Sequence, residues 1–280
     1  MQAEFITMLY LVASLFLLYA LYKWLMRHRH AAPRLPMSVK FDRDTPATVS
    51  IVMPVLNETK VISATLAPLQ AMRAAGHELI VVDGGSADDT LGKASALADM
   101  SLSSARGRAR QMNTGATQAR GDVLLFLHAD TRLPADGIPV LLKELAKSGK
   151  AWGRFDVRLS GRHPLLRMVA CMMNWRSRIT GVATGDQAMF VRREAFQALN
   201  CFPDIPLMED IALSSALQSG FGRPLCLRRR VVTSSRRWEE GGILRTIMLM
   251  WKLRLAYFLG ASPERLARQY RRRETASEHV

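Results

Sequence analysis

Cysteine is scarce in this chain, and its three copies, Cys171, Cys201 and Cys226, stand far apart. An odd number without paired spacing supports neither a disulfide framework nor a thiolate metal site, and it favours a reducing compartment. Glycine is missing from the turn after the first apolar run, where a dinucleotide-binding fold would carry G-x-G-x-x-G. No Walker A sequence occurs anywhere. A Rossmann dehydrogenase and a P-loop NTPase are therefore disfavoured. Acid is in short supply too: 24 Asp and Glu face 39 Lys and Arg, for a formal net charge of +15 over 280 residues. Such a balance calls for an anionic partner, whether membrane lipid, phosphorylated substrate or nucleic acid. A nucleic-acid binder would add aromatic–basic interleaving or a recognition motif; neither is found, so nucleic acid is not an expected partner.

What is present is a series of apolar runs that end in acids. Gly121–Thr131 reads GDVLLFLHADT, five apolar residues from Val123 to Leu127 with no polar alternation. That pattern predicts a strand buried on both faces of a mostly parallel sheet. Such strands end at the sheet edge where open α/β folds bind ligands, so Asp130 can meet a diphosphate through a divalent metal, or simply cap a turn. Val49–Glu58 predicts an earlier strand stopped by Pro54, followed by a helix from about Lys60 to Ala75. Glu78–Thr90 repeats the scheme, with Asp83 at the strand end and a helix to about Asp99. The basic segment Ala105–Arg120 follows, helical in its later part. Strand–helix–strand at this spacing is the signature of a doubly wound sheet. Acids thus close three strands (Glu58, Asp83, Asp130), with Arg106, Arg108 and Arg110 nearby in sequence. Carboxylates accept hydrogen bonds from a base or ribose or hold a metal, and arginines neutralise phosphate.

The N-terminus is the longest apolar run. Phe5–Tyr22 carries no charge and can span the ~30 Å hydrocarbon core as a helix. Lys23, Arg27 and Arg29 follow it, whereas a signal peptide would have its basic residues in front. The expectation is an uncleaved single-pass anchor over residues 1–30 in the cell inner membrane, with the main domain cytoplasmic. Residues 31–46 read as a linker broken by Pro33, Pro36 and Pro46.

Together, VSIVMPVLNE, VVDGGSADDT, GRARQMNTGA, LLFLHADT and the later LMED resemble a family-2 glycosyltransferase of the GT-A fold. More narrowly, they resemble the subgroup associated with radical-SAM and selenodomain genes. The likeness runs from about Val49 to Arg237. It implies a GT-A nucleotide-binding sheet with helices on both faces, in a domain over residues 47–238. It also implies that Pro54, Asn57, Glu58 and Asp83 hold the nucleotide and that Asp130 binds Mn²⁺ or Mg²⁺. Arg106 and Arg110 are candidates for the phosphates. The family's Asp-x-Asp is here His128-Ala129-Asp130, so the first position departs. The resemblance further makes Gly185, Asp186 and Gln187 acceptor-pocket residues. It makes Asp210 the general base with Glu209 beside it, and Arg237-Trp238 a pair closing over the diphosphate, although a solvated basic loop over Val231–Gly242 is the plainer alternative.

The remaining segments are read from their periodicity. Ala151–Gly161 predicts an antiparallel strand with Phe155, Val157 and Leu159 on one face. His163–Gly181 predicts a packed helix with a Met-rich face, a lipid-binding role being the alternative. Ile205–Gly220 predicts a helix opened by Glu209-Asp210. From Arg223 onward fourteen Lys/Arg stand against five Asp/Glu. Ile243–Gly260, interrupted by Arg245, Lys252 and Arg254, predicts an amphipathic helix lying in a bilayer interface, within a basic membrane-proximal tail over 239–280. The function expected is a membrane-anchored inverting glycosyltransferase that moves a sugar from a nucleotide-sugar donor to an acceptor that the sequence leaves open, a lipid-linked one among the candidates. The alternative is a non-catalytic nucleotide-binding relative serving as a membrane scaffold.

Overall fold

Strands apolar on both sides need cover on both sides, and the sheet supplies it. The computed structural model describes the backbone of residues 48–277 and the side chains of 48–270. In chain order the elements are β1 (Val49–Val55), α1 (Ile62–Leu66), a 3-10 turn (Ala67–Leu69), α2 (Gln70–Ala74), β2 (Glu78–Asp83), α3 (Thr90–Ser95), β3 (Met100–Ser103) and α4 (Arg108–Gln118). Then come β4 (Val123–Phe126), β5 (Thr131–Arg132), α5 (Gly137–Ser148), β6 (Trp152–Leu159), α6 (Pro164–Thr180), a second 3-10 turn (Gly185–Gln187), β7 (Phe190–Arg192) and α7 (Arg193–Ala198). The described chain closes with α8 (Glu209–Phe221), β8 (Leu225–Thr233), α9 (Arg236–Glu240), α10 (Ile243–Phe258) and α11 (Pro263–Ser277). The N-terminal anchor and linker expected over residues 1–46 lie outside the described residues. Among the described residues no helix is long and apolar enough to cross a membrane.

The sheet has eight strands in the order β3-β2-β1-β4-β7-β6-β8-β5. β3, β2, β1 and β4 run parallel, and β7 turns antiparallel between β4 and β6. One face packs Ile51, Val81 and Leu125 under α1, α2 and α5; the other packs Val52, Ile80, Leu124 and Phe126 under α4, α7 and α8. Each apolar strand residue therefore leaves water whichever way it points, which is why these strands show no polar alternation. Gly115 lets α4 approach β1 and β2: a Cβ there would lie 2.5 Å from Val52 Cγ1 and 2.9 Å from Val82 Cγ2. Gly115→Ala is expected to lower stability by about 1–3 kcal/mol through overpacking. A thermal melt unchanged from the parent's would contradict that.

Pro54 sits in a central strand, where proline is normally excluded. Val52 O accepts from Leu127 N at 3.1 Å on the β4 side. Pro54, two residues on, turns its missing N–H the same way, past Phe126, the last β4 residue in register with β1.

Several expectations need correction. The helix expected over Lys60–Ala75 is two short helices separated by a 3-10 turn that holds Pro68, whose ring removes a helical donor. β6 is antiparallel to β7 but parallel to β8, with Phe155, Val157 and Leu159 on one core face as anticipated. The alternate residues Arg154 and Asp156 are buried rather than solvated. The plainer basic-loop alternative at Val231–Gly242 gives way to the end of strand β8 followed by helix α9. The helix expected over Ile243–Gly260 is present as α10, and α11 follows it. They pack through Leu253 and Leu266 onto Val182, Met208 and Ile211.

Candidate active site

The carboxyl ends of β1, β2 and β4 meet at one edge of the sheet, and the polar side chains gathered there form two groups. In the first, the β1 and β2 turns are tied to each other. Asp83, 4% exposed, accepts from Gly85 N at 2.9 Å and Ser86 N at 2.8 Å, and also from the Ser86 hydroxyl. Asn57 takes φ 54°, a left-handed conformation that asparagine tolerates. From there its N–H donates to Ser86 Oγ at 2.8 Å and its Oδ1 accepts from Ala87 N at 2.9 Å. Asn57 and Asp83 thus build the cradle with their side chains. Glu58 N donates to Thr90 Oγ1 at 2.8 Å, which leaves the Glu58 carboxylate to face the edge. Burial raises the pKa of Glu58, Arg236 opposes, and Asp130 and Asp88 raise it further.

Asp130 is exposed at the end of β4. Its Oδ1 accepts from Thr131 Oγ1 at 3.2 Å and, at the 3.5 Å limit, from Thr233 Oγ1, while its carbonyl accepts from Ser234 N at 3.0 Å. β8 therefore delivers the α9 arginines to this edge. They part there: Arg236 lies within electrostatic reach of Glu58 and Arg237 within reach of Asp186. Trp238 turns inward and packs on the core, so only the arginine of the Arg237-Trp238 pair faces the edge. Among the described residues no group of three or more His, Cys, Asp or Glu could cage a metal. A lone exposed carboxylate with unused lone pairs still fits a hard divalent ion, because Mg²⁺ sites commonly combine one or two carboxylates with substrate phosphates. Asp130 meets that description.

The second group surrounds Asp210. Met208 adopts φ 70° and buries its side chain beneath α10 and α11. This strained residue starts α8 abruptly and presents Glu209 and Asp210 on its first turn. Asp210 Oδ2 accepts from Gly185 N at 2.9 Å and Oδ1 from Ile211 N at 2.7 Å. Gly185 in turn lies against His128, since a Cβ at that position would come 2.3 Å from His128 Cε1 and 2.4 Å from Nε2. His128 Nδ1 stands 3.8 Å from Asp186 Oδ1, beyond hydrogen-bond length but close enough for charge attraction when the imidazole is protonated. Burial would raise the pKa of Asp186, but His128, Arg108 and Arg237 outweigh it and bring it down to about 2. Glu209 is 6% exposed; burial and Asp210 raise its pKa, and Arg108 and His128 partly offset them.

Three arginines precede or open α4, and the fold uses them differently. Arg110 reaches outward to pair with Asp204 at 2.8 Å, away from the acids. Arg106 is exposed. It is Arg108 that faces them: desolvation would lower its pKa, but Glu209, Tyr270, Asp186 and Asp210 together raise it. Gln187 is fully buried, its Oε1 accepting from Thr184 N at 3.3 Å, so it shapes the 3-10 turn while Gly185 and Asp186 line it. Arg108, Arg236 and Tyr270 were not singled out by motif. A run of alternating arginines does not disclose which one stands closest to the acids, and Tyr270 lies far along the chain. Arg237 stacks over the Tyr270 ring at 5.5 Å, so α11 borders the site.

The family model described as glycosyl transferase family 2 matches residues 50–199. The undecaprenyl-phosphate 4-deoxy-4-formamido-L-arabinose transferase of Pseudomonas syringae pv. syringae (strain B728a) is 31% identical over 176 residues, 56% of this chain and 48% of that protein. Its counterpart from Sodalis glossinidius is 30% identical over 158 residues, 51% of this chain and 48% of that protein. The chain spans about half the length of the curated relatives it matches. Among solved structures, glucosyl-3-phosphoglycerate synthase from Mycobacterium tuberculosis, in complex with Mn²⁺, UDP and phosphoglyceric acid, is similar with a TM-score of 0.56 and 20% identity. That likeness covers 78% of this chain and 80% of the other. S. aureus TarS gives a TM-score of 0.55 at 17% identity over 76% of this chain and 43% of that one. These likenesses establish the fold as GT-A-like.

Proposed function

Because the chain belongs to glycosyl transferase family 2 and is a glycosyltransferase, we propose that it is an inverting, membrane-associated enzyme that moves a sugar from a nucleotide-diphosphate donor to a lipid-linked acceptor. One observation carries this reading. His128, two residues before Asp130, lies against Gly185, whose N–H donates to Asp210. Asp130 and Asp210 are thus linked through His128 and Gly185, which supports a donor side and an acceptor side next to each other. The narrower likeness to the radical-SAM-associated subgroup belongs to the same proposal and rests on the same five sequence motifs taken together.

In this reading Asn57, Glu58 and Asp83 form the nucleotide cradle, and Asp130 holds the divalent ion. The ion supplies neutralising charge to the leaving diphosphate. Arg236 adds positive charge on the same side, while Arg237 stands toward Asp186. Asp210 takes the proton of the acceptor hydroxyl as its oxygen bonds to the anomeric carbon. The bond from that carbon to the diphosphate oxygen breaks, its electron pair leaving with the nucleotide. Attack opposite the leaving group inverts the centre. Glu209, whose pKa is raised, stays behind Asp210 as a buried neighbour of Arg108. The curated relatives named for undecaprenyl phosphate support a lipid-phosphate acceptor, and the apolar N-terminal run supports attachment to the inner membrane with the domain cytoplasmic.

Asp130→Asn tests the metal assignment. It is expected to weaken Mn²⁺- or Mg²⁺-dependent nucleotide binding by about tenfold or more, with turnover falling alongside. Titration calorimetry with UDP, with and without the metal, reads this directly. Unchanged metal-dependent affinity would remove Asp130 as the ligand. The scaffold alternative predicts nucleotide binding without sugar release from any member of a nucleotide-sugar panel supplied with membrane extract.

A further inference from the structure

α10 is apolar on the side it turns to water. Thr246 and Leu253 face the protein, while Leu244, Met248 and Leu255 are exposed, as is Leu259 just past the helix end. With half-buried Trp251 these fall at i, i+4, i+7, i+11 and i+15, a single helical stripe. Met248 is 69% exposed and Leu259 74%. Exposed Arg245 and Lys252 flank the stripe on one edge. α6 repeats the arrangement. Leu166, Val169 and Met173 enter the core, whereas Cys171, Trp175 and Ile179 recur every four residues on the exposed side, with Arg167 on the preceding turn. The two helices are neighbours at their starts, where His163 and Leu165 line the same hollow as Gly242, Ile243 and Arg245.

A protein surface rarely exposes as many large apolar side chains along two helices as Ile179, Leu244, Met248, Leu255 and Leu259. Cationic residues beside both stripes specify the partner's chemistry, since apolar groups enter the acyl boundary and Lys/Arg meet anionic headgroups. We infer that α6 and α10 together form a docking face for an anionic bilayer surface, a second membrane contact besides the N-terminal apolar run. α6 thereby combines the packed helix and the lipid-facing role, one on each side. The inference deepens the membrane reading given above and rests on it.

Spin labels read the depth of each stripe. In the full chain, Cys171→Ser, Cys201→Ser and Cys226→Ser remove native thiols, and a nitroxide is placed at Ile179→Cys or Met248→Cys. Ala146→Cys, exposed on α5, is the control. In nanodiscs containing phosphatidylglycerol, both stripe labels are expected to relax more with oxygen than with a water-soluble nickel chelate, and the control to do the reverse. In phosphatidylcholine discs, or at high salt, the stripe labels should move toward the control. Stripe labels that match the control in anionic discs overturn the inference, even if the chain itself stays in the disc. Equal depth in both lipids overturns its anionic part. Labels shielded from both relaxants, with dipolar broadening, identify a second copy of the chain as the occupant and also overturn it. A chain that leaves the disc altogether instead sinks the membrane reading of the function. Circular dichroism of each variant excludes misfolding as the source of any difference.

Discussion

Asp210→Asn is expected to cut sugar transfer by about 10²-fold or more while leaving nucleotide binding close to the parent's. The asparagine oxygen can still accept from Gly185 N or Ile211 N, so one of the two bonds that hold the residue survives the change. What disappears is the capacity to take a proton. The donor cradle lies on the β1 and β2 turns, outside the bonds that change. The informative result is therefore the split: turnover lost, affinity for nucleotide kept. Loss of both would signal a disturbed α8 start, and a melting curve distinguishes that case. Transfer near the parent's rate would remove Asp210 from the mechanism and leave Glu209 as the next candidate.

The second large effect lies behind the site. Arg154 has no exposed surface, and its guanidinium pairs with Asp156, itself 7% exposed. Asp156 also takes both terminal nitrogens of Arg178 at 2.8 Å. Arg154 donates onward to Ser177 Oγ and the Asn174 carbonyl at 3.0 Å each, and Asn174 brackets the Val157 peptide from both sides. Asp156→Ala leaves a buried guanidinium without its counter-charge, and it is expected to cost about 3–5 kcal/mol. In a domain of this size that lowers the melting temperature by roughly 10 °C. Pairing Asp156→Leu with Arg154→Met should restore most of the loss, because apolar isosteres of a buried pair are often neutral. A melt of Asp156→Ala within about 2 °C of the parent's would mean the pair stabilises nothing.

Those two sites show where sequence reading succeeds and where it stops. The ends of β1, β2 and β4 were legible because an uninterrupted apolar run cut off by an acid is a local signal, with the strand and its terminal residue in one window. The place of Asp210 in the first turn of α8 was legible because an acid pair ahead of an apolar periodic run marks a helix start. The Arg154–Asp156 pair was not, because alternating charges on a strand look solvated until α6 is known to cover them. β8 was hidden for a related reason. Arg228, Arg229 and Arg230 are exposed in its middle, and it pairs with β6, some seventy residues earlier, through a register shift at Phe155/Asp156. The choice of Arg108 over Arg106 and Arg110 depends on the rotation of α4 against the sheet, which no spacing of arginines records. Tyr270 reaches the site only through the turn between α10 and α11.

That last pair of helices sets a length scale for the chemistry. α10 packs one side onto Met208 and Ile211, the residues that bracket the two acids, and turns its apolar stripe the other way. An α-helix with side chains is about 10–12 Å across. Asp210, the proposed base, thus stands off the outer apolar stripe by roughly one helix. On the docking face inferred above, a hydroxyl or phosphate fixed to a lipid in the adjoining leaflet would have to rise only by that much to meet the carboxylate, whereas an acceptor free in solution would gain nothing from the arrangement.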